Sequence, residues 1–194
     1  KAAVVAYART QTAELKKLGV TMNLAPVVDL KPDHRPSTIG HTKLDERAIA
    51  RDPDTVARIA GWYCGVLVEE GIACTLKHFP GLGRVKTDTH AESGHIPATL
   101  PELERHDWVP FRKLSQRPGV AIMVGHVSID GLGDKTPASH SKAVVTDLLR
   151  TAWQSDSVLI TDDLGMGAIT ESRTGVGEAA VQALNAGMDL VLVS

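Results

Sequence analysis

Aromatic residues are scarce. Phe, Trp and Tyr together make up 4% of the 194 residues, too few for a surface that grips sugars or bases by stacking alone. Charge of one sign is not in excess either. Lys and Arg number 21 against 23 Asp and Glu, for a formal net charge of −2, and the basic residues are scattered. That balance argues against a nucleic-acid partner. The two cysteines, Cys64 and Cys74, have no metal-binding spacing and read as two buried thiols, which leaves the redox compartment open. No apolar run reaches the roughly 18 residues that would suggest a transmembrane helix. No signal peptide is visible, but the sequence opens on Lys1 and not on Met, so its start is expected to lie upstream.

What is present is an ordinary globular composition, 43% hydrophobic and 23% charged, with a length that suits one domain and a sizeable core. Short apolar runs rich in β-branched residues predict strands at Val20–Pro26, Ile72–His78, Val120–His126, Val158–Asp162 and Asp189–Val193. The stretches between them are amphipathic. Ala2–Leu18 predicts a helix that stops at Gly19. Asp52 suits an N-cap and Pro53 a first helical position; Val56, Ile59, Ala60, Tyr63 and Leu67 then share one face, with Gly71 as the stop. Further helices are predicted from Pro101 to about Ser115, from Ser141 to Trp153, and from Val176 to Ala186.

Strict alternation of helices with almost wholly apolar strands implies a parallel sheet covered by helices. Two α/β architectures satisfy this, an open doubly wound sheet and a (β/α)8 TIM barrel. The doubly wound form usually carries a glycine-rich phosphate turn after its first strand, where this chain has Leu24-Ala25-Pro26-Val27. In a barrel, polar residues at the strand C-termini converge on one site. Asn23, Lys77, His78, His126, Asp162 and Asp163 all stand at or near such ends. A closed barrel needs eight strands and typically ~250 residues. The five visible strands therefore predict an internal portion of a barrel, a single partial domain over residues 1–194.

Two clusters carry candidate chemistry. Lys77-His78-Phe79-Pro80-Gly81-Leu82-Gly83 ends a strand, and Thr87-Asp88-Thr89-His90 follows it. Lys and His at a strand end can donate hydrogen bonds to substrate hydroxyls, and a carboxylate beside an imidazole can fix its tautomer and raise its basicity. Asp88 and His90 taken alone read as an incidental loop pair; next to Lys77 and His78 they read as part of a site. In the second cluster, Asp162 and Asp163 directly follow an apolar strand. Alternation of faces lets only one of them point into a site, and the other suits a cap on the next helix. Arg47 could reach a carboxylate or a sugar oxygen, but alone it is an ordinary salt-bridge residue. His126 reads equally as a site-lining or a packing histidine. No His-x-His or His-Glu-x-x-His occurs, so no metal is expected, and no Gly-x-Ser-x-Gly elbow occurs either. No cofactor is expected.

Lys77-His78-Phe79-Pro80-Gly81-x-Gly83, Asp88-x-His90 and Thr161-Asp162-Asp163-Leu164-x-Met166, in that order, resemble glycoside hydrolase family 3, and within it the bacterial β-N-acetylglucosaminidases of the NagZ type. Asn23-Leu24-Ala25-Pro26-Val27-Val28-Asp29, the spacing from Arg47 to Asp52-Pro53, Met123 to His126, Pro137-Ala138-Ser139 and Leu148-Leu149-Arg150 extend the resemblance along the chain. It implies a barrel glycosidase that removes terminal β-linked N-acetylglucosamine from peptidoglycan-derived saccharides through a covalent intermediate. It makes Asp162 the nucleophile and His90 the general acid/base, with Asp88 pairing with that histidine. Lys77, His78 and Arg47 would hold the sugar hydroxyls. The family's Asp-x-Glu-Gly-Gly segment is not among these residues, as an internal piece would have it. A phosphorylase and a non-catalytic carbohydrate-binding barrel stay open as alternatives. The compartment also stays open, cytoplasmic or exported to the cell envelope.

Overall fold

Five of the short apolar runs pair into one parallel sheet. The computed structural model describes residues 1–32, 43–87, 94–170 and 175–194. Its strands are β1 (Met22–Asn23), β2 (Ala73–Phe79), β3 (Gly94–Ile96), β4 (Val120–Val124), β5 (Val127–Ile129), β6 (Leu159–Asp163) and β7 (Leu190–Leu192). Its helices are α1 (Ala2–Lys17), α2 (Leu44–Arg47), α3 (Pro53–Glu69), α4 (Leu100–Arg105), α5 (Val109–Leu114), α6 (Gly167–Thr170) and α7 (Gly175–Ala186). Between β4 and β6, Ala143–Ala152 winds as a wider, π-type helix.

The large sheet has the order β1-β2-β4-β6-β7, every neighbouring pair parallel. Each new strand is added on the same side of the last. A doubly wound sheet reverses its order at a switch point, whereas one-directional winding with intervening helices is that of a (β/α) barrel. The sheet is therefore an arc of a partial TIM barrel, as the strand-end residues imply. Parallel strands have both faces covered, which is why β4 is buried along its whole length and reads as an unbroken apolar run.

Local chemistry sets the helix ends. The Asp52 carboxylate accepts from the Thr55 amide at 2.8 Å and Pro53 follows it, so α3 begins where the sequence places it. Gly71 then takes φ +81°, which ends the helix and turns the chain into β2. Tyr63, Cys64 and Leu67 bury one face of α3, which packs against α1 and α5.

Three expectations change. The helix expected from Pro101 to Ser115 is two helices, α4 and α5. Pro110 has no N–H for the His106 carbonyl, and in a continuous helix its ring would clash with that carbonyl, so the helix breaks between Arg105 and Val109. A second, two-stranded parallel sheet, β3 with β5, stands where the sequence predicted no strand; its strands are too short to show a period. Cys64 and Cys74 are not free thiols. Their sulfurs form a disulfide joining α3 to β2, with Cα atoms 5.4 Å apart.

Phe79, the last residue of β2, is fully buried. Its ring lies 5.8 Å from Trp108, 5.2 Å from Phe111 and 5.5 Å from Trp153, mostly in tilted or edge-on contacts. Most of the chain's few aromatics are thus spent anchoring the strand end that carries Lys77 and His78. Phe79→Ala is expected to lower the unfolding free energy by about 3–5 kcal/mol, the usual cost of such a cavity. Chemical denaturation checks this, and a loss below about 1 kcal/mol would contradict the anchoring role.

Candidate active site

The parallel sheet puts all its strand C-termini at one end. Phe79 of β2 is level with Val124 of β4, Val124 with Thr161 of β6, and Asp163 with Leu192 of β7. These registers bring the Lys77–Gly83 loop, His126 and Asp162–Asp163 to the same rim.

The β2 loop is organised by a residue the sequence reading did not single out. Segment 27–30 runs beside the end of β2, where Val28 donates its amide to the Lys77 carbonyl at 2.7 Å, and this delivers Asp29 beneath the loop. Asp29 has no solvent exposure. Its Oδ2 accepts from the His78 amide at 2.9 Å and from His78 Nδ1 at 2.8 Å; its Oδ1 accepts from the Leu82 amide at 2.7 Å. A carboxylate only accepts, so Nδ1 of His78 carries the proton and Nε2 is left for another partner. The loop passes so close to segment 27–30 that a Cβ on Gly83 would sit 2.4 Å from the Leu30 carbonyl oxygen, so only glycine fits there. The available signal for Asp29 was an acid inside an apolar run, Val27-Val28-Asp29-Leu30, which is costly to bury without partners.

Lys77 is largely buried. Desolvation holds its ammonium below the usual lysine range, and the Arg47 guanidinium pushes the same way, while Asp162 and Asp29 oppose them. Lys77 thus stands among Arg47, Asp162 and Asp29, contributed by separate elements. Arg47 closes α2 and lines a groove of about 500 Å³ with Pro26, Val27 and Tyr63. Asn23, also at a strand end, donates instead to the Tyr63 hydroxyl at 2.8 Å, toward the helical layer.

At the end of β6 the two aspartates have different surroundings. Asp163 accepts from the Gly165 amide at 2.8 Å and from Ser194 through both its amide and its hydroxyl. Burial would raise its carboxyl, but these bonds outweigh it and hold the group below the usual carboxylate range. Asp163 therefore ties the turn after β6 to Ser194; its carboxylate does not cap α6, which begins at Gly167. Asp162 Oδ1 accepts only from the following amide, at 2.9 Å, among the described residues. Its charge is felt at both Lys77 and His126. Asp88 and His90 lie outside the described residues. Among those described, no group of three His, Cys, Asp or Glu side chains is placed to hold a metal ion, and no helix is long and apolar enough to cross a membrane.

Asp29→Asn retains one acceptor oxygen and turns an NH2 group toward buried donors. It is expected to cost about 1–3 kcal/mol of stability. Unfolding measurements test this, and a change within about 0.5 kcal/mol, typical of an idle surface site, would contradict the bonding scheme.

Comparison with known proteins agrees with this geometry. The model of the glycosyl hydrolase family 3 N terminal domain matches residues 2–194. Beta-hexosaminidase LpqI of Mycobacterium tuberculosis is 41% identical over 191 residues, covering 95% of this chain and 47% of that protein. A beta-hexosaminidase of Xanthomonas oryzae is 35% identical over 192 residues, covering 99% of this chain and 55% of that protein. The chain thus spans about half the length of these relatives. The structure of a glycoside hydrolase family 3 beta-N-acetylglucosaminidase from Paenibacillus superposes with a TM-score of 0.90 at 36% identity, covering 98% of this chain and 35% of that one.

Proposed function

The chain belongs to glycosyl hydrolase family 3, and from that premise we propose that it carries the cleavage site of a retaining β-N-acetylglucosaminidase acting on peptidoglycan-derived saccharides. The observation that carries this reading is the place of Asp162. It is the next-to-last residue of a barrel strand, with one oxygen held by a backbone amide and with Lys77 close enough to feel its charge. Relatives named beta-hexosaminidase support the sugar class.

In the first step, a carboxylate oxygen of Asp162 attacks the anomeric carbon. The bond to the leaving oxygen breaks, and that oxygen takes a proton from His90. This leaves a glycosyl ester on Asp162. In the second step His90 takes a proton from water, whose oxygen attacks the same carbon and frees Asp162. Two inversions give net retention. Most retaining glycosidases use a second carboxylate for the proton transfers. A histidine can take that place because its ordinary pKa, about 6.5, lies close to neutral pH. Asp88 orients the imidazole. Lys77, His78 through its free Nε2, and Arg47 hold the sugar hydroxyls. Strand alternation and the turn bonds of Asp163 favour Asp162 over its neighbour as the nucleophile.

Two kinetic outcomes follow for the full-length protein on N-acetylglucosaminides. Asp162→Ala lowers kcat by on the order of 10⁴-fold or more. His90→Ala loses about 10²–10⁴-fold on substrates with poor leaving groups and much less on activated aryl glycosides, which need little protonation. Equal losses on both substrate types would remove His90 from the acid role. Proton NMR of the first-formed anomer checks retention, and rates that rise only with added phosphate would indicate a phosphorylase. A wild-type protein that binds the sugar without turnover would favour the carbohydrate-binding alternative.

A further inference from the structure

His126 follows β4 and is 2% exposed, next to the strand that carries Asp162 and Asp163. Its Nε2 lies 3.1 Å from the Asp163 carbonyl oxygen, and its Nδ1 lies 2.8 Å from Ser139 Oγ. A carbonyl only accepts, so Nε2 carries a proton. Burial lowers the pKa of the ring against the pull of Asp162, which favours the uncharged form. Nδ1 then has a lone pair, and the Ser139 hydroxyl donates to it. Ser139 is itself fully buried and cannot exchange this bond for water. The neighbouring His140 ring, 6.0 Å away, is held down to about 4, first by burial and then by His126, so it adds no positive charge at neutral pH.

Every polar group of Asp163 is therefore occupied. Its carbonyl accepts from His126 Nε2–H and from the Met166 amide, each at 3.1 Å, its carboxylate accepts from Gly165 and Ser194, and its amide donates to Asp162 Oδ1. We infer that His126 is a positioning residue whose Nε2–H tether to the Asp163 carbonyl fixes the aim of the Asp162 carboxylate. Ser139 sets the tautomer that makes the tether possible. This rests on the reading of Asp162 as nucleophile. A carboxylate displaced by about 1 Å from its line of attack can lose 10²-fold in rate without losing substrate affinity.

The test uses the full-length protein with His126→Leu, His126→Gln, Ser139→Ala and Asp162→Asn, with kcat and KM measured separately on a chromogenic N-acetylglucosaminide and Tm recorded for each variant. Glutamine places an amide N–H where histidine has Nε2–H. The expected result is a fall in kcat of about 10²-fold for His126→Leu with KM within about threefold, and recovery to within about tenfold of wild type for His126→Gln. The tether is overturned if the glutamine variant falls as far as the leucine variant, or if the loss appears in KM alone. Should both His126 variants fail to fold, Ser139→Ala decides: about a fivefold or greater fall in kcat supports the tether, and an unchanged kcat overturns it. An active wild type whose Asp162→Asn variant keeps its turnover overturns the nucleophile reading and the tether with it. Loss of turnover in Asp162→Asn with full kcat in His126→Leu overturns the tether alone.

Discussion

The site depends on a buried carboxylate that receives three N–H groups. Asp29 lies 49 residues before His78 and 53 before Leu82, yet it accepts from the backbone of both and from the His78 ring. Without it, two amides and a ring nitrogen would point into a space closed to water. Burying a charge is costly unless its hydrogen bonds are complete, and here they are supplied by the loop that the site requires. The same bonds fix the tautomer of His78 and hold Leu82 and Gly83 against segment 27–30. On the far side, Phe79 is locked among Trp108, Phe111 and Trp153. The loop bearing Lys77 and His78 is thus gripped by a charge on one side and by aromatic packing on the other.

The turn after β6 uses a parallel solution with different groups. Asp163 spends its carboxylate on a turn and its carbonyl on His126 and the Met166 amide, and among the described residues Asp162 is held by one oxygen only. Adjacent aspartates therefore divide the work, one structural and one presented to the cluster of Lys77 and Arg47. The division follows from strand alternation together with the local turn. Barrel winding then sets the two loops at one rim, because every strand of the sheet points the same way.

Much of this was legible in the sequence. The five strands of the large sheet stand out because parallel strands buried on both faces must be apolar throughout, and Val120–Val124 could hardly read otherwise. The start of α3 was legible because Asp52-Pro53 is a local signal. What escaped was non-local or too short. Three-residue strands such as Gly94–Ile96 have no period to detect. The role of Asp29 depends on a partner loop 49 residues away, which spacing cannot show. His126 stayed open between packing and site-lining because only the fold reveals which carbonyl its ring meets. The cysteines misled for the same reason: a separation of 10 residues carries no geometry until a helix and a strand lie side by side. Family resemblance singled out Asp162, Lys77, His78 and Arg47; Lys77 and His78 share one strand end, and the charges of Asp162 and Arg47 both act on Lys77. Asp88 and His90 stand on the resemblance and on their spacing.

The central claim is that Asp162 becomes covalently bonded to the sugar. Intact-mass measurement and peptide mapping of the full-length protein, after incubation with a fluorinated N-acetylglucosaminide that traps glycosyl intermediates, test it most directly. The account predicts a glycosyl adduct on the peptide that contains Asp162, at the carboxylate of that residue. Turnover of the same sugar with an adduct on another residue, or with none at Asp162, would contradict it.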